Sequence, residues 1–324
     1  MYHKPKVSII IPAYNSEKYI QKAFDTSRQQ TLSNIEIIFI DDGSTDKTAN
    51  LLQEYKMTDN RVQIITHPKN LGLGAARNTG MAEANGTYIF FLDSDDYIHP
   101  NALEVLYDKS QAENLDILQA QHIEHRGDTK TTLPKNIIPF TQAIDGINYY
   151  NEGIFIEPKA CAKLWKTDFI KQHNLQFSQG YYEDMAMVFY AFSIAKRLNN
   201  LMFPAYHYVI RNNSITQQKP SAKHILDFMQ ALSATQEGFI KQKLINKHSS
   251  FPASFGLFLV KLNEMSLQTN QKDLQNQVQN FTDQMLKNYA KFIKQNKQLS
   301  FWKRILIAKS PLLYAQLKKI IGRA

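Results

Sequence analysis

The sequence is poor in cysteine: Cys161 stands alone among 324 residues. No intrachain disulfide can form, and the composition predicts a reducing, cytoplasmic location. No run of eighteen apolar residues occurs, so no membrane-spanning helix is expected. The opening "MYHKPKVSIIIPAYN" is basic and then apolar, but its apolar run, Val7 to Ile11, stops at Pro12. That is too short for the apolar core of a signal peptide. Internal repeats and low-complexity segments are absent. Acidic residues are missing from 285–324, which hold ten of the 38 basic side chains. The other 28 stand against 29 acids, so residues 1–284 sum to −1 and the net charge of +9 describes a tail.

What is present is a globular composition, 43% hydrophobic and 11% aromatic, which excludes a disordered chain. The length suits one large domain plus an extension. Buried-strand patterns at "VSIII" (7–11), "IEIIFI" (35–40), "VQIIT" (62–66), "TYIFFL" (87–92) and "DILQAQHIEH" (116–125) alternate with helical ones. The first helix spans 16–30, with Ser16 as N-cap. This alternation predicts an α/β fold: a Rossmann-like, mostly parallel sheet flanked by helices on both faces. Further on, "KLWK" and 201–211 read as strands, and 180–196 as a helix whose first turn carries Glu183 and Asp184. From about 222 the pattern is helical, broken at Ser249–Pro252, near Thr269 and near Gln298. The expected division is 1–220 for the α/β domain and 221–324 for a helical C-terminal region.

Ligands on such sheets bind beyond the carboxyl ends of the strands. Three of those ends are "PAYN", "DDGSTD" and "DSDD", which gather Asp41, Asp42, Asp46, Asp93, Asp95 and Asp96 at one edge. One acidic turn means little, since Asp favours turns and caps. Six carboxylates on one edge call for another reason. Asp93 and Asp95, two positions apart in a turn, can converge on one hard cation, Mg²⁺ or Mn²⁺. In "NLGLGAARNTG" (70–80) small residues let backbone approach a ligand, and Arg77 replaces the third glycine of a dinucleotide fingerprint. The motif also follows the third strand, which excludes a Rossmann NAD site.

Taken together, "VSIIIPAYN", "DDGSTD", "NLGLGAARNTG", "FFLDSDD" and "YYEDM" resemble the family 2 glycosyltransferases of GT-A fold, over residues 5–215. The resemblance implies an inverting transferase that uses a nucleotide sugar, most simply a UDP-sugar, on a glycan or lipid-linked glycan acceptor. It places Pro12, Ala13 and Tyr14 at the nucleoside, Asp42 at the uracil ring, and Asn70 and Arg77 near base and phosphates. Asp93, Ser94 and Asp95 would hold the ribose–diphosphate, with Asp93 and Asp95 on the metal. Asp184 would be the catalytic base, and His207 and Arg211 would close over the diphosphate. Trp165 has two readings, a sugar-stacking platform and core packing.

Competing classes fit less well. In sugar-phosphate nucleotidyltransferases the Gly-x-Gly-x-x-Arg follows the first strand, where "IPAYN" stands here. In haloacid-dehalogenase phosphatases the D-x-D also follows the first strand, whereas here it follows the fourth. A non-catalytic binder of anionic polymer through the basic tail is the remaining alternative. Nucleic acid is not an expected partner, because the predicted groove is acidic. Residues 298–324 interleave apolar and basic side chains around Pro311. They would either lie on an anionic membrane face or pack on the body or a second subunit of a homo-oligomer.

Overall fold

The computed structural model describes residues 4–135, 137–151, 156–211, 219–241 and 251–295. The chain forms two compact units, 1–146 with 155–214 and 147–154 with 215–324. The border thus falls at 214/215, where the sequence reading set 220/221, and a short inserted segment joins the second unit.

In the first unit the chain runs β1 (Val7–Ala13), α1 (Ile20–Arg28), β2 (Ile35–Asp41), α2 (Thr48–Thr58), β3 (Val62–Thr66), α3 (Leu73–Glu83) and β4 (Tyr88–Phe91). A two-residue strand β5 (Tyr97–Ile98), α4 (Ala102–Ala112), β6 (Ile117–Arg126) and β7 (Thr129–Leu133) follow. After the short helix α5 (Gly146–Asn151), which falls in the second unit from Ile147 on, come β8 (Lys163–Lys166), α6 (Thr167–Gln172), α7 (Met185–Ile194) and β9 (Leu198–Ile210). One sheet has the order β3-β2-β1-β4-β8-β6-β9-β5, with β7 on β6. Every residue of β1 and β2 is buried, as strands covered on both faces require.

β3, β2, β1 and β4 are parallel, as the alternation predicts. The fifth strand does not extend that array. β8 lies between β4 and β6, antiparallel to both. Its Leu164 and Trp165 are fully buried, so the sheet centre gains two large apolar side chains from a segment later in the chain. Pro12 is tolerated within β1 because β4 pairs only as far as Ile10, which leaves that side of Pro12 without a ladder partner. Ser16 caps α1 differently from expectation. Its carbonyl accepts from the Tyr19 and Ile20 N–H groups, and Tyr19 is the N-cap.

The second unit contains α8 (Ala222–Lys241), α9 (Phe251–Leu267) and α10 (Lys272–Gln295). Ile225, Phe228, Leu232, Leu259, Leu262 and Val278 are buried there. The predicted break at Thr269 is a turn in which Gln275 Nε2 donates to the carbonyls of Thr269 and Ser266. The tail 298–324 and the predicted break near Gln298 lie outside the described residues. Among the described residues, no helix is long and apolar enough to cross a membrane.

Candidate active site

Register brings three loops together. Ala13 pairs with Asp41 and Ile10 with Phe91, so β1, β2 and β4 end at one edge. Ser16 and Ser94 share a hydroxyl hydrogen bond of 2.9 Å across the β1 and β4 loops. Each of the six aspartates has its own partner. Asp41 accepts from Ser44 N, and Asp46 from Thr48 N and Glu17 N. Asp96 is buried and accepts from Tyr206 Oη at 2.6 Å and Val209 N at 2.8 Å. Burial and the charges of Asp95 and Asp93 push its carboxyl well above the ordinary range. Asp93 and Asp95 keep partial exposure, 26% and 38% of their side chains, as does Asp46, whose carboxylate is taken up by Thr48 N and Glu17 N.

Asp42, expected at the uracil ring, is buried among the chain's own donors. Its carboxylate accepts from Leu71 N (2.9 Å) and Gly72 N (2.8 Å) and pairs with His67 Nδ1 (2.7 Å). It therefore organises the loop entering α3. Gly43 has φ +72°, and a Cβ there would meet the Lys69 backbone at 2.6 Å, so this turn and that loop fit only without a side chain. Asn70 and Tyr14 are exposed at the same edge, while Pro12 and Ala13 are buried strand residues.

The small residues of α3 admit the chain itself. A Cβ on Gly74 would stand 2.0 Å from the Ser178 carbonyl oxygen. Asn78 clamps Phe177 with two hydrogen bonds, Nδ2 to its O and its N to Oδ1. Ser178 N and Oγ both donate to the Glu183 carbonyl. The loop so held delivers Glu183 to Arg77. That guanidinium is 2% exposed and forked, with Nη1 on Glu183 (2.5 Å) and Nη2 on Asp93 (2.7 Å). Arg77, expected near base and phosphates, instead joins the D-x-D turn to the Glu-Asp pair.

α7 starts at Met185, later than expected, because Tyr182 takes the left-handed conformation (φ 61°) and interrupts the helical path. Asp184 is the N-cap residue but makes no capping bond with its side chain. Its Oδ2 accepts from Ala160 N at 3.1 Å. Burial first, then the charge of Glu183, raise its carboxyl to about 7, against the pull of Arg77. The loop carrying Ala160 is tied down twice. The fully buried Lys163 donates Nζ to the carbonyls of Glu157 and Lys159, and Trp165 Nε1 donates to Ala160 O. Trp165 is thus a core residue, edge-on to Phe192, and not a platform for a sugar.

Arg211 reaches Asp95 Oδ2 at 2.9 Å and lies 3.5 Å from the Tyr19 ring centroid. His207 does not join this group. It stacks on Tyr97 (4.3 Å, 7°) and shares a hydrogen bond with His125 Nε2, and burial lowers it to about 4. Sequence reasoning missed Tyr206, whose hydroxyl accepts from Asp93 N and donates to Asp96, and Cys161, whose Sγ is 3.5 Å from Asp93 Oδ2. Nothing local marks either one. Among the described residues no three His, Cys, Asp or Glu side chains converge, so the hard donors on offer are the Asp93 and Asp95 pair.

A GT-A architecture is what this arrangement defines, with strand-end aspartates on one side and a Glu-Asp pair on the other. A solved structure with the same fold is S. aureus TarS 1–349 in complex with UDP-GlcNAc, at TM-score 0.70 and 20% identity, covering 98% of this chain and 90% of that one. The sequence profile of Glycosyl transferase family 2 matches residues 8–185, and the protein belongs to that family. It is a glycosyltransferase. The putative glycosyltransferase EpsH of Bacillus subtilis is 31% identical over 263 residues, 79% of this chain and 74% of that protein. The poly(ribitol-phosphate) beta-glucosyltransferase of Bacillus spizizenii is 33% identical over 215 residues, 64% of this chain and 33% of that protein.

Proposed function

We propose that the protein transfers a sugar from a UDP-sugar to a hydroxyl of a glycan or teichoic-acid-type polymer, with inversion and with Asp184 as base. The observation that carries this is the Arg77 fork, which joins Asp93 at the nucleotide edge to Glu183 beside Asp184. The donor class is supported by TarS, which was solved with UDP-GlcNAc, and the acceptor class by the poly(ribitol-phosphate) enzyme.

In this reading Asp184 takes the proton of the acceptor hydroxyl as that oxygen bonds to the anomeric carbon. The bond from that carbon to the diphosphate breaks, and its electron pair leaves with UDP. A carboxylate near 7 suits the task, because a base works best when its pKa lies near the operating pH. Asp93 and Asp95 fit a divalent cation. Both carboxylates are only partly covered, and partial burial and the charge of Asp93 raise Asp95, so a dication would relieve their repulsion. Mg²⁺ and Mn²⁺ are commonly held by one or two carboxylates plus substrate phosphates. A bound ion would neutralise the charge developing on the departing diphosphate. Arg211, on Asp95, is the cation placed to follow that charge. The basic tail is read as a contact to an anionic membrane face.

The test is a screen of nucleotide sugars for slow hydrolysis with and without Mn²⁺, with the product anomer read by NMR. Release of UDP with inversion supports the reading. A retained anomer, or hydrolysis of none of the UDP-sugars, refutes it.

A further inference from the structure

We infer that a small cavity beside Asp93 is a subsite that reads one neutral hydroxyl of the transferred sugar, with the His122 imidazole and the Lys159 ammonium as its polar walls. This rests on the UDP-sugar reading above. The cavity is lined by Asp93, His122, Glu157, Lys159, Cys161 and Tyr208, among others, and encloses about 260 Å³ counted to its open mouth. That is less than the roughly 300–1,000 Å³ of a whole small-molecule pocket. Its interior has room for about one water-sized group. It therefore takes a substituent, not a ring.

Its place in the fold says which substituent. One wall is Asp93, assigned to the ribose–diphosphate. Another is Cys161, next to Ala160, whose N–H holds the Asp184 carboxylate. The anomeric carbon must lie between the departing diphosphate and the hydroxyl that Asp184 deprotonates. A cavity walled by Asp93 and Cys161 borders the space between those two points, where the transferred sugar would lie.

Its chemistry favours a hydroxyl. His122 is 3% exposed, and its Nε2 is buried with no hydrogen-bond partner among the described protein groups. A buried polar atom left unpaired is costly, so a partner is expected there. Burial, then Lys159 and Lys163, hold the imidazole neutral by lowering it to about 3. A hydroxyl can donate to or accept from such a ring in either tautomer. Lys159 Nζ stands 3.8 Å from Glu157 Oε1 and 4.1 Å from the Tyr208 ring centroid. A carboxylate or phosphate substituent would meet both Asp93 and Glu157, and an acetamido group exceeds the space.

The cavity is also built. β6 and β9 pair in parallel, and their register slips on both sides of Gln121, immediately before His122. Such irregularities re-aim side chains beside functional sites. The opposite wall is fixed by the Lys163 and Trp165 bonds described above.

The experiment uses the full-length protein and the variants His122→Leu and Lys159→Met. Calorimetry measures affinity for UDP, for UDP-glucose, UDP-galactose and UDP-GlcNAc, and for the deoxy analogues of the tightest binder. UDP affinity should stay within about twofold, because the subsite is assigned to the sugar and not to the nucleotide. Affinity for the intact donor should fall about tenfold in each variant, the worth of one hydrogen bond to a buried group. One deoxy analogue should lose as much against wild type and little more against His122→Leu, since both changes remove the same contact. The melting temperature of His122→Leu reports folding separately, and Lys159→Met carries the test if that variant is unstable. Unchanged donor affinity with UDP binding intact, or strictly additive losses, overturns the subsite and leaves an ordered water as its only occupant. Failure of wild type to bind UDP overturns the donor reading and the subsite with it.

Discussion

Asp184→Asn should stabilise the protein more as pH rises, while removing most turnover. The Asp184 carboxyl is lifted from the ordinary 3.8 to about 7. A group held above its unfolded value binds its proton more tightly in the fold. Its stabilising contribution is complete below about pH 4 and is lost as pH rises through about 7. Forcing this carboxyl to ionise therefore costs about 4 kcal/mol, at about 1.36 kcal/mol per pH unit. Asparagine cannot ionise, and its Oδ1 can still accept from Ala160 N. The variant's advantage should be near zero at pH 3.5, about 2 kcal/mol at pH 5 and about 4 kcal/mol at pH 8. Glu183 shares in the titration, so Glu183→Gln is the companion control. Urea melts at pH 5 and pH 8, without divalent ions, measure the difference. Turnover at saturating donor should fall by roughly 10²–10⁴, the usual worth of a general base. In wild type, kcat/KM should rise with pH and level off above about 7. A variant no more stable at pH 8 than at pH 5, relative to wild type, would refute the buried-carboxylate argument. Parallel loss of donor binding and turnover would refute the role of base.

Asp95→Asn relieves repulsion from Asp93, and the partly exposed Arg211 keeps its bond to the Asp95 carbonyl and its stacking on Tyr19, so the melting temperature without metal should hold or rise. UDP affinity in Mn²⁺ should lose its metal dependence, and calorimetry showing it intact would sink the metal assignment. Arg77→Gln leaves Asp93 and Glu183 without their shared cation, and roughly 3–5 kcal/mol should be lost in chemical denaturation. Arg77→Lys should not restore it, because a single ammonium cannot replace the fork; full rescue would show that charge alone matters. Gly74→Ala forces α3 and the Ser178 loop apart and should cost about 1–3 kcal/mol along with activity; an unaffected enzyme would mean that contact gives way freely. Deleting 298–324 removes six basic residues and should abolish co-sedimentation with anionic vesicles at low salt while sparing donor hydrolysis. Indifference of the full-length protein to such vesicles would end the membrane reading.

Why some of this was legible and some was not follows from how far each signal reaches along the chain. β1 to β4 are written in stretches of five or six mostly apolar residues, a pattern that needs no knowledge of neighbours. The place of β8 depends on pairing with residues 44 to 78 positions away, which no local pattern encodes. Trp165 has two readings, sugar platform and core packing, only while its environment is unknown. Once β8 sits mid-sheet, its ring has no route to solvent. The site divides the same way. Like-charged residues at strand ends can be read off the page, but what they do is decided by partners that arrive from elsewhere. Asp42 meets donors 25 to 30 positions on and becomes a loop organiser. Asp96 meets Tyr206, 110 positions on, and becomes a buried tie to β9. Asp93 meets an arginine 16 positions back and Asp95 one 116 positions on, and both carboxylates stay partly exposed, at the spacing that lets two oxygens close on one ion. Arg77 is the residue whose meaning changed most. The sequence marks an arginine after small residues, which reads as a ligand contact. The fold spends those small residues on its own Ser178 loop, so the arginine reaches Glu183 instead. The Asp93 turn and the Glu183–Asp184 pair are thereby joined through one buried cation, and under the proposed function a substitution in α3 should perturb donor binding and proton transfer together.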